Sequence, residues 1–161
     1  SIWVRCRYSD RHSGVRCTIG AALIAEPRAV YNRLVAAGLT HVQACGVLGN
    51  IQQESGFDTD VLGFDGTGSV GLCQWLGPRK RQLQEFARRR GEPYTDWEVQ
   101  TDFIMRELRT TEKVAMAKLQ ATTSAASAAL VFSRFYERPH QNYAHNDKRM
   151  AYAARFANEF S

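Results

Sequence analysis

The chain has 161 residues, 44% of them hydrophobic and 23% charged, with a formal net charge of +5. That is the length and make-up of one ordinary globular domain with a sizeable core, which excludes a disordered, fibrous or disulfide-dense chain. No apolar run reaches the length of a membrane span and no basic-then-apolar leader is present; the start at Ser1 without a methionine fits a processed form or a piece of a longer protein.

Residues 2–8 and 15–19 alternate as two short strands, and the polar link 9–14 predicts a hairpin, so residues 1–26 form an N-terminal extension. Cys6 and Cys17 then lie where they can bridge in an oxidising compartment. A zinc site with His12 lacks the paired ligand spacing of such sites, and neither a metal nor any other cofactor is expected.

The main domain is read over 27–161. Pro27 opens a helix that runs to Ala37 and is closed by Gly38. Thr40 caps a second helix, which ends at Ser55-Gly56. On it Val42, Cys45, Leu48 and Ile51 recur every three residues as an apolar stripe, and Glu54 is next in that series. A carboxyl there meets two effects that favour its neutral form: burial, and the negative end of the helix dipole. A glutamic acid that keeps its proton near neutral pH can act as general acid toward a sugar oxygen. The plainer reading is a helix-end glutamate in solvent or capping a turn.

Residues 56–70 are rich in Gly and Asp and read as a loop or small irregular hairpin. Val70-Gly-Leu-Cys-Gln-Trp75 follows as an apolar, strand-like run with one amide, Gln74. Cys45 and Cys73 read as small buried side chains, with a bridge between them left open. Pro78 opens a helix through Leu83 and Phe86 to Gly91. Arg79-Lys-Arg81 and Arg88–Arg90 on it carry much of the positive charge; they suit an anionic polymer or simply a solvated face. Aromatics do not alternate with these residues, so a nucleic-acid partner is not expected.

Thr95-Asp-Trp-Glu98 has the form of a capping box, and the helix behind it turns Trp97, Ile104 and Leu108 inward. Thr111 and Ser124 start two more helices, the second stopped by Pro139. Asn146 caps the last, whose packing stripe is Met150, Ala153, Ala154 and Ala157. The fold class expected is α-dominated (α+β): a single domain with a short β element.

Leu48-Gly-Asn-Ile-Gln-Gln-Glu-Ser-Gly-Phe57, followed by Gly71-Leu-Cys-Gln-Trp75 and Arg79, resembles the phage tail lysozyme family, within the wider superfamily of goose-type lysozymes and soluble lytic transglycosylases. Gln100 with Phe103, Glu107-Leu108 and Phe135-Tyr-Glu-Arg-Pro139 extend the likeness over roughly 27–160. The resemblance implies a lysozyme-like fold and cleavage of the peptidoglycan β-1,4 bond between N-acetylmuramic acid and N-acetylglucosamine. It also implies Glu54 as catalytic acid and Ser55 and Gln74 as polar groups that position the sugar. Tyr136 then either bonds the Glu54 carboxyl or is a core aromatic. Trp75 either walls a sugar subsite or packs on the Glu54 helix, and Arg79 either lines the cleft or anchors the next helix.

A second carboxylate, about 6.5–9.5 Å from the acid in an inverting enzyme and closer in a retaining one, is sought among Asp58, Asp60 and Asp65. Asp65, before Gly66-Thr-Gly68, is the choice, and Asp58 reads as a turn residue. Without a second carboxylate, Glu54 alone can run a lytic transglycosylase reaction. A glycan-binding or tail-structural domain without chemistry is the other alternative. The implied setting is the bacterial envelope, reached from a phage tail, a secretion machine or by export, with a larger assembly and an immunity protein as candidate partners beside the glycan strands.

Overall fold

The structure, a computed structural model, describes residues 24–60 and 68–161. The expected hairpin with Cys6, His12 and Cys17, and the loop position Asp65, lie outside the described residues. The elements are α1 (Pro27–Ala36), α2 (His41–Ser55), α3 (Pro78–Arg90), α4 (Trp97–Arg109), α5 (Lys113–Gln120), α6 (Ala125–Phe132), a π-helical turn (Ser133–Glu137), a 3-10 turn (Gln141–Tyr143) and α7 (Asn146–Glu159). The chain is helix-dominated, as its patterning requires. Among the described residues, β structure is confined to two isolated bridges, Ile24 with Asp58 and Val70 with Trp75.

Helix α2 is the axis of the molecule. Every residue from Gln43 to Ile51 is buried, so it is covered on all sides rather than along one stripe. Glycine makes that possible at two places: a methyl on Gly46 would overlap Ala128 of α6, and one on Gly49 would overlap the backbone of Arg149 and Ala153 of α7. The two helices therefore close on α2 at backbone distance. Both ends of α2 are set locally. Thr40 and Gln43 form a reciprocal capping box at the start. Gly56, in the left-handed region at φ 59°, ends the helix and leaves Glu54 on its last turn. Just beyond, the Ala25 amide donates to the Phe57 carbonyl at 2.8 Å, which ties the chain ahead of α1 to the exit of α2.

Some sequence expectations are corrected. The Asp96 amide turns back onto the Pro93 carbonyl, so α4 starts one residue later than a Thr95 cap requires; Asp96 is its cap, without a side-chain bond to the helix. Glu98 thereby sits too early in the helix to close a capping box. The cap of α5 is Glu112 rather than Thr111. In α7 the cap position belongs to His145, and Asn146 is the first helical residue, its Oδ1 accepting from the Ser133 hydroxyl at 2.6 Å. Of the expected stripe on α7, Ala153 is buried and Met150 and Ala157 pack against the core, while Ala154 is exposed; Arg149 and Phe156 complete the buried face.

The expected strand at Val70–Trp75 is instead a closed turn. Val70 and Trp75 exchange both backbone hydrogen bonds at 3.0 Å, with residues 71–74 folded between them. Gln100, fully buried on α4, holds this turn from beneath: its Oε1 accepts from the Leu72 amide at 3.0 Å, and its Nε2 donates to the Thr59 and Tyr94 carbonyls. Gly71, at φ 83°, is required there because a side chain would run into the Gln100 amide. Cys45 and Cys73 are buried free thiols and form no bridge.

Candidate active site

Glu54 lies at the exit of α2 with 17% of its side chain exposed. Burial raises its pKa, and Arg149 opposes that shift through its charge and a hydrogen bond. The Arg149 guanidinium is only 2% exposed; Nη1 donates to Glu54 Oε1 at 2.8 Å and to Asn50 Oδ1 at 3.0 Å, and Nε donates to the Ala144 carbonyl at 2.6 Å. Asn50 is itself anchored by donating to the Gly46 and Ala129 carbonyls. The acid is therefore aimed by a rigid chain of polar contacts running through the core between α2, α6 and α7.

Ser55 follows Glu54 on the last turn of α2 and bonds the turn that carries Gln74, but the polar groups of both have structural duties. The Ser55 hydroxyl donates to the Ile51 and Leu72 carbonyls, joining the last turn of α2 to the 70–75 turn. Gln74 adopts φ 53°, and its side chain takes a hydrogen bond from the Ser69 hydroxyl at 2.9 Å and donates to the Gly71 carbonyl at 3.1 Å. A half-buried amide held in a left-handed backbone is a preorganised polar surface beside Glu54's helix. Asp58 accepts from the Asp60 amide at 2.9 Å, which makes it an Asx turn at the exit of α2.

Tyr136 and Trp75 are placed in the core and not on a sugar-facing wall. Tyr136 is fully buried and its hydroxyl donates to Glu107 Oε1 at 2.6 Å, so the alternative in which it bonds Glu54 is corrected. Trp75 is 1% exposed; its indole N–H reaches Glu107 Oε1 at 2.9 Å and the Tyr136 hydroxyl at 3.2 Å, and its ring meets Phe103 edge-on. The physical reason is the closed 70–75 turn, which swings the indole inward where an extended strand would alternate its faces. Arg79 completes this cluster by a forked pair of bonds to Glu107, each 2.9 Å, and a third to the Tyr136 carbonyl, so it anchors α3.

Two further residues were not singled out as functional candidates from the sequence. Arg149 occupies a core position of α7 where the period calls for an apolar residue; the 149, 153, 156 spacing would have shown it. Glu137 ends the π-helical turn, whose altered spacing hides it from any helical period. Its Oε1 is buried and has no hydrogen-bond partner among the described residues. Burial, followed by the charge of Glu54, pushes its pKa well above the usual carboxyl range.

A separate groove of about 690 Å³ lies between α3 and α4, lined by Arg81, Phe86, Arg89, Arg90, Phe103 and Arg106 among others. Glu54, Ser55 and Gln74 are not part of its lining, so it is not an extension of this site.

Compared with known proteins, residues 26–160 match the family model described as phage tail lysozyme. No curated protein matches the chain.

Proposed function

The chain belongs to the phage tail lysozyme family, and on that footing we propose that it lyses peptidoglycan as a muramidase, with Glu54 as the general acid for the β-1,4 bond between N-acetylmuramic acid and N-acetylglucosamine. The observation that carries the reading is the state of Glu54: a carboxyl at the open end of a buried helix, pushed by its surroundings toward the protonated form and fixed in direction by Arg149. Such a group hands its proton to the glycosidic oxygen as the bond to the anomeric carbon breaks, and the departing sugar leaves as a neutral alcohol. The remaining oxocarbenium-like sugar is captured by water, for which Asp65 is the proposed base. Ser55 and Gln74 are the proposed sugar-positioning groups, with Gln74 able to donate and accept toward an acetamido or hydroxyl group.

A second reading follows from Asp58, whose carboxyl is taken up by its own turn. If Asp65 supplies no base, the sugar's own 6-hydroxyl attacks, Glu54 acts as acid and then base, and the product carries a 1,6-anhydro end. Mass analysis of released muropeptides separates the two: reducing ends support hydrolysis, anhydro ends transglycosylation. Loss of turbidity in purified cell walls, abolished in Glu54→Gln, is the test of the assignment itself. Wall binding with no fragments released from the unaltered chain would show a binding or tail-structural domain instead. The proposed place of action is the bacterial envelope, reached from a phage tail, a secretion machine or by export, and the charge of +5 favours residence near its anionic polymers. A larger assembly and an immunity protein are the proposed protein partners.

A further inference from the structure

The groove between α3 and α4 takes no part in the chemistry at Glu54, and its charge is not balanced from within. Its lining sets Arg81, Arg89, Arg90 and Arg106 against Glu85 and Glu107. Both glutamates are already engaged. Glu85 accepts from Arg88 and Arg89, and Glu107 holds Arg79 through the forked pair. Arg90 is taken by Asp102 at 2.7 Å and Glu92 at 3.1 Å. That leaves Arg81 and Arg106, both exposed, with no carboxylate partner for either guanidinium among the described residues.

The floor between these cations is apolar. Phe86 is half-buried, and its ring lies 5.5 Å from that of Phe103, centroid to centroid. The guanidiniums of Arg90 and Arg106 stand over the Phe86 ring at 5.2 and 5.7 Å. A guanidinium resting on a ring is held in place while its N–H edges stay available to an anion, and for Arg106 no anion takes them among the described residues. A second hollow of about 330 Å³, lined by Asp102, Met105 and Arg109 among others, shares Phe86, Arg106 and Thr110 with the groove. Arg106 therefore stands where the two meet, and a ligand longer than either hollow passes over it.

A groove of about 690 Å³ has the size of a site for a short peptide or a small molecule. Arginine forks suit carboxylates, which they bind with two parallel hydrogen bonds. The phenyl floor suits small aliphatic side chains and is a poor match for a phosphodiester polymer, whose units between charges are polar. A peptide in which alanines alternate with carboxyl-bearing residues satisfies both requirements, and the stem peptides of peptidoglycan have that composition.

We propose that the α3–α4 groove binds the carboxyl-bearing stem peptides of peptidoglycan, with Arg81 and Arg106 as the residues that recognise their carboxylates. The choice of ligand rests on the reading of the chain as a peptidoglycan-lysing protein. A hold on the peptides apart from Glu54 keeps the protein on the wall between one cut and the next.

The test is an NMR titration of the nitrogen-15-labelled protein with the N-acetylated peptide Ala-γ-Glu-Lys-Ala. Amide shifts are expected in residues 78–90 and 102–111. The variant carrying both Arg81→Ala and Arg106→Ala is expected to bind at least about tenfold more weakly, since each charge-assisted hydrogen bond is worth about that factor. The same peptide with both carboxyls converted to primary amides is expected to cause no shifts. Absence of binding, shifts centred outside the groove, or equal binding by the amidated peptide overturns the proposal. A glycerol phosphate oligomer that binds the groove as tightly as the peptide overturns it too, in favour of a phosphodiester polymer. Should the double variant fail to fold, the amidated peptide decides the matter on the unaltered protein. The titration involves no cleavage, so the two readings fail separately. Peptide binding by a protein that releases no glycan fragments rejects the muramidase reading alone, and fragment release without peptide binding rejects the groove alone.

Discussion

Two buried polar clusters meet at a single backbone step, Tyr136–Glu137, and their contrast separates architecture from chemistry. On one side Glu107 receives Arg79, Tyr136 and Trp75, with all donor distances between 2.6 and 2.9 Å. On the other side Glu54 receives Arg149, and Glu137 keeps one carboxyl oxygen with no donor among the described residues. Both set an arginine against a carboxyl, but Glu107 is fully buried whereas Glu54 and Glu137 are half-buried. Saturation makes the first a clamp that locks α3, α4 and the π-helical turn together. In the second, burial pushes both carboxyls toward their protonated forms, and only Glu54 has an arginine to oppose the shift through a hydrogen bond.

The largest expected effect comes from the under-supplied side. Glu54→Gln keeps shape and most contacts but carries no transferable proton, so wall clearing should fall by about 10²–10⁴-fold, the usual worth of general acid catalysis. Circular dichroism and melting should show the fold intact. Unimpaired clearing by the variant would erase the distinction between the clusters.

The saturated side should fail in the opposite manner. Glu107→Ala strands the Arg79 guanidinium, the Trp75 indole and the Tyr136 hydroxyl, and should cost about 3–5 kcal/mol of stability by urea denaturation. Activity per folded molecule should change little. A variant that is stable yet inactive would move Glu107 to the chemical side of the comparison.

A third expectation sharpens the contrast through pH. Glu54 and Glu137 both have folded-state pKa values above the ordinary carboxyl value of about 4.3. The folded protein therefore binds these protons more tightly than the unfolded chain does. Their contribution to stability is complete below the ordinary value and is lost as pH rises through the folded-state values. Melting temperatures followed across that range should fall with rising pH, and Glu137→Gln should flatten the decline. A decline that the variant leaves unaltered would mean that Glu137 is not one of its sources.

The smallest effect is expected at Trp75. Trp75→Phe removes one of the donors to Glu107 and should cost about 1 kcal/mol. The KM for glycan should be unchanged, because the ring faces the core. A marked rise in KM without loss of stability would return Trp75 to the sugar-binding surface.

The sequence alone carried the helical class, the central helix with its Thr40 start and Gly56 stop, and the family motif around Glu54, because caps, periodicity and short motifs act over a few residues. The Val42, Cys45, Leu48 and Ile51 series pointed Glu54 away from solvent, and its side chain is 17% exposed, although α2 is covered on all sides and not along that stripe alone. Only the tertiary structure decided which carboxyls have counter-ions. Arg149 reaches Glu54 across 95 positions, Arg79 reaches Glu107 across 28, and Trp75 reaches Tyr136 across 61. No local pattern encodes such pairings. The first of them arises when glycines at 46 and 49 let α6 and α7 close on α2, which brings Arg149 of α7 to the Glu54 carboxyl.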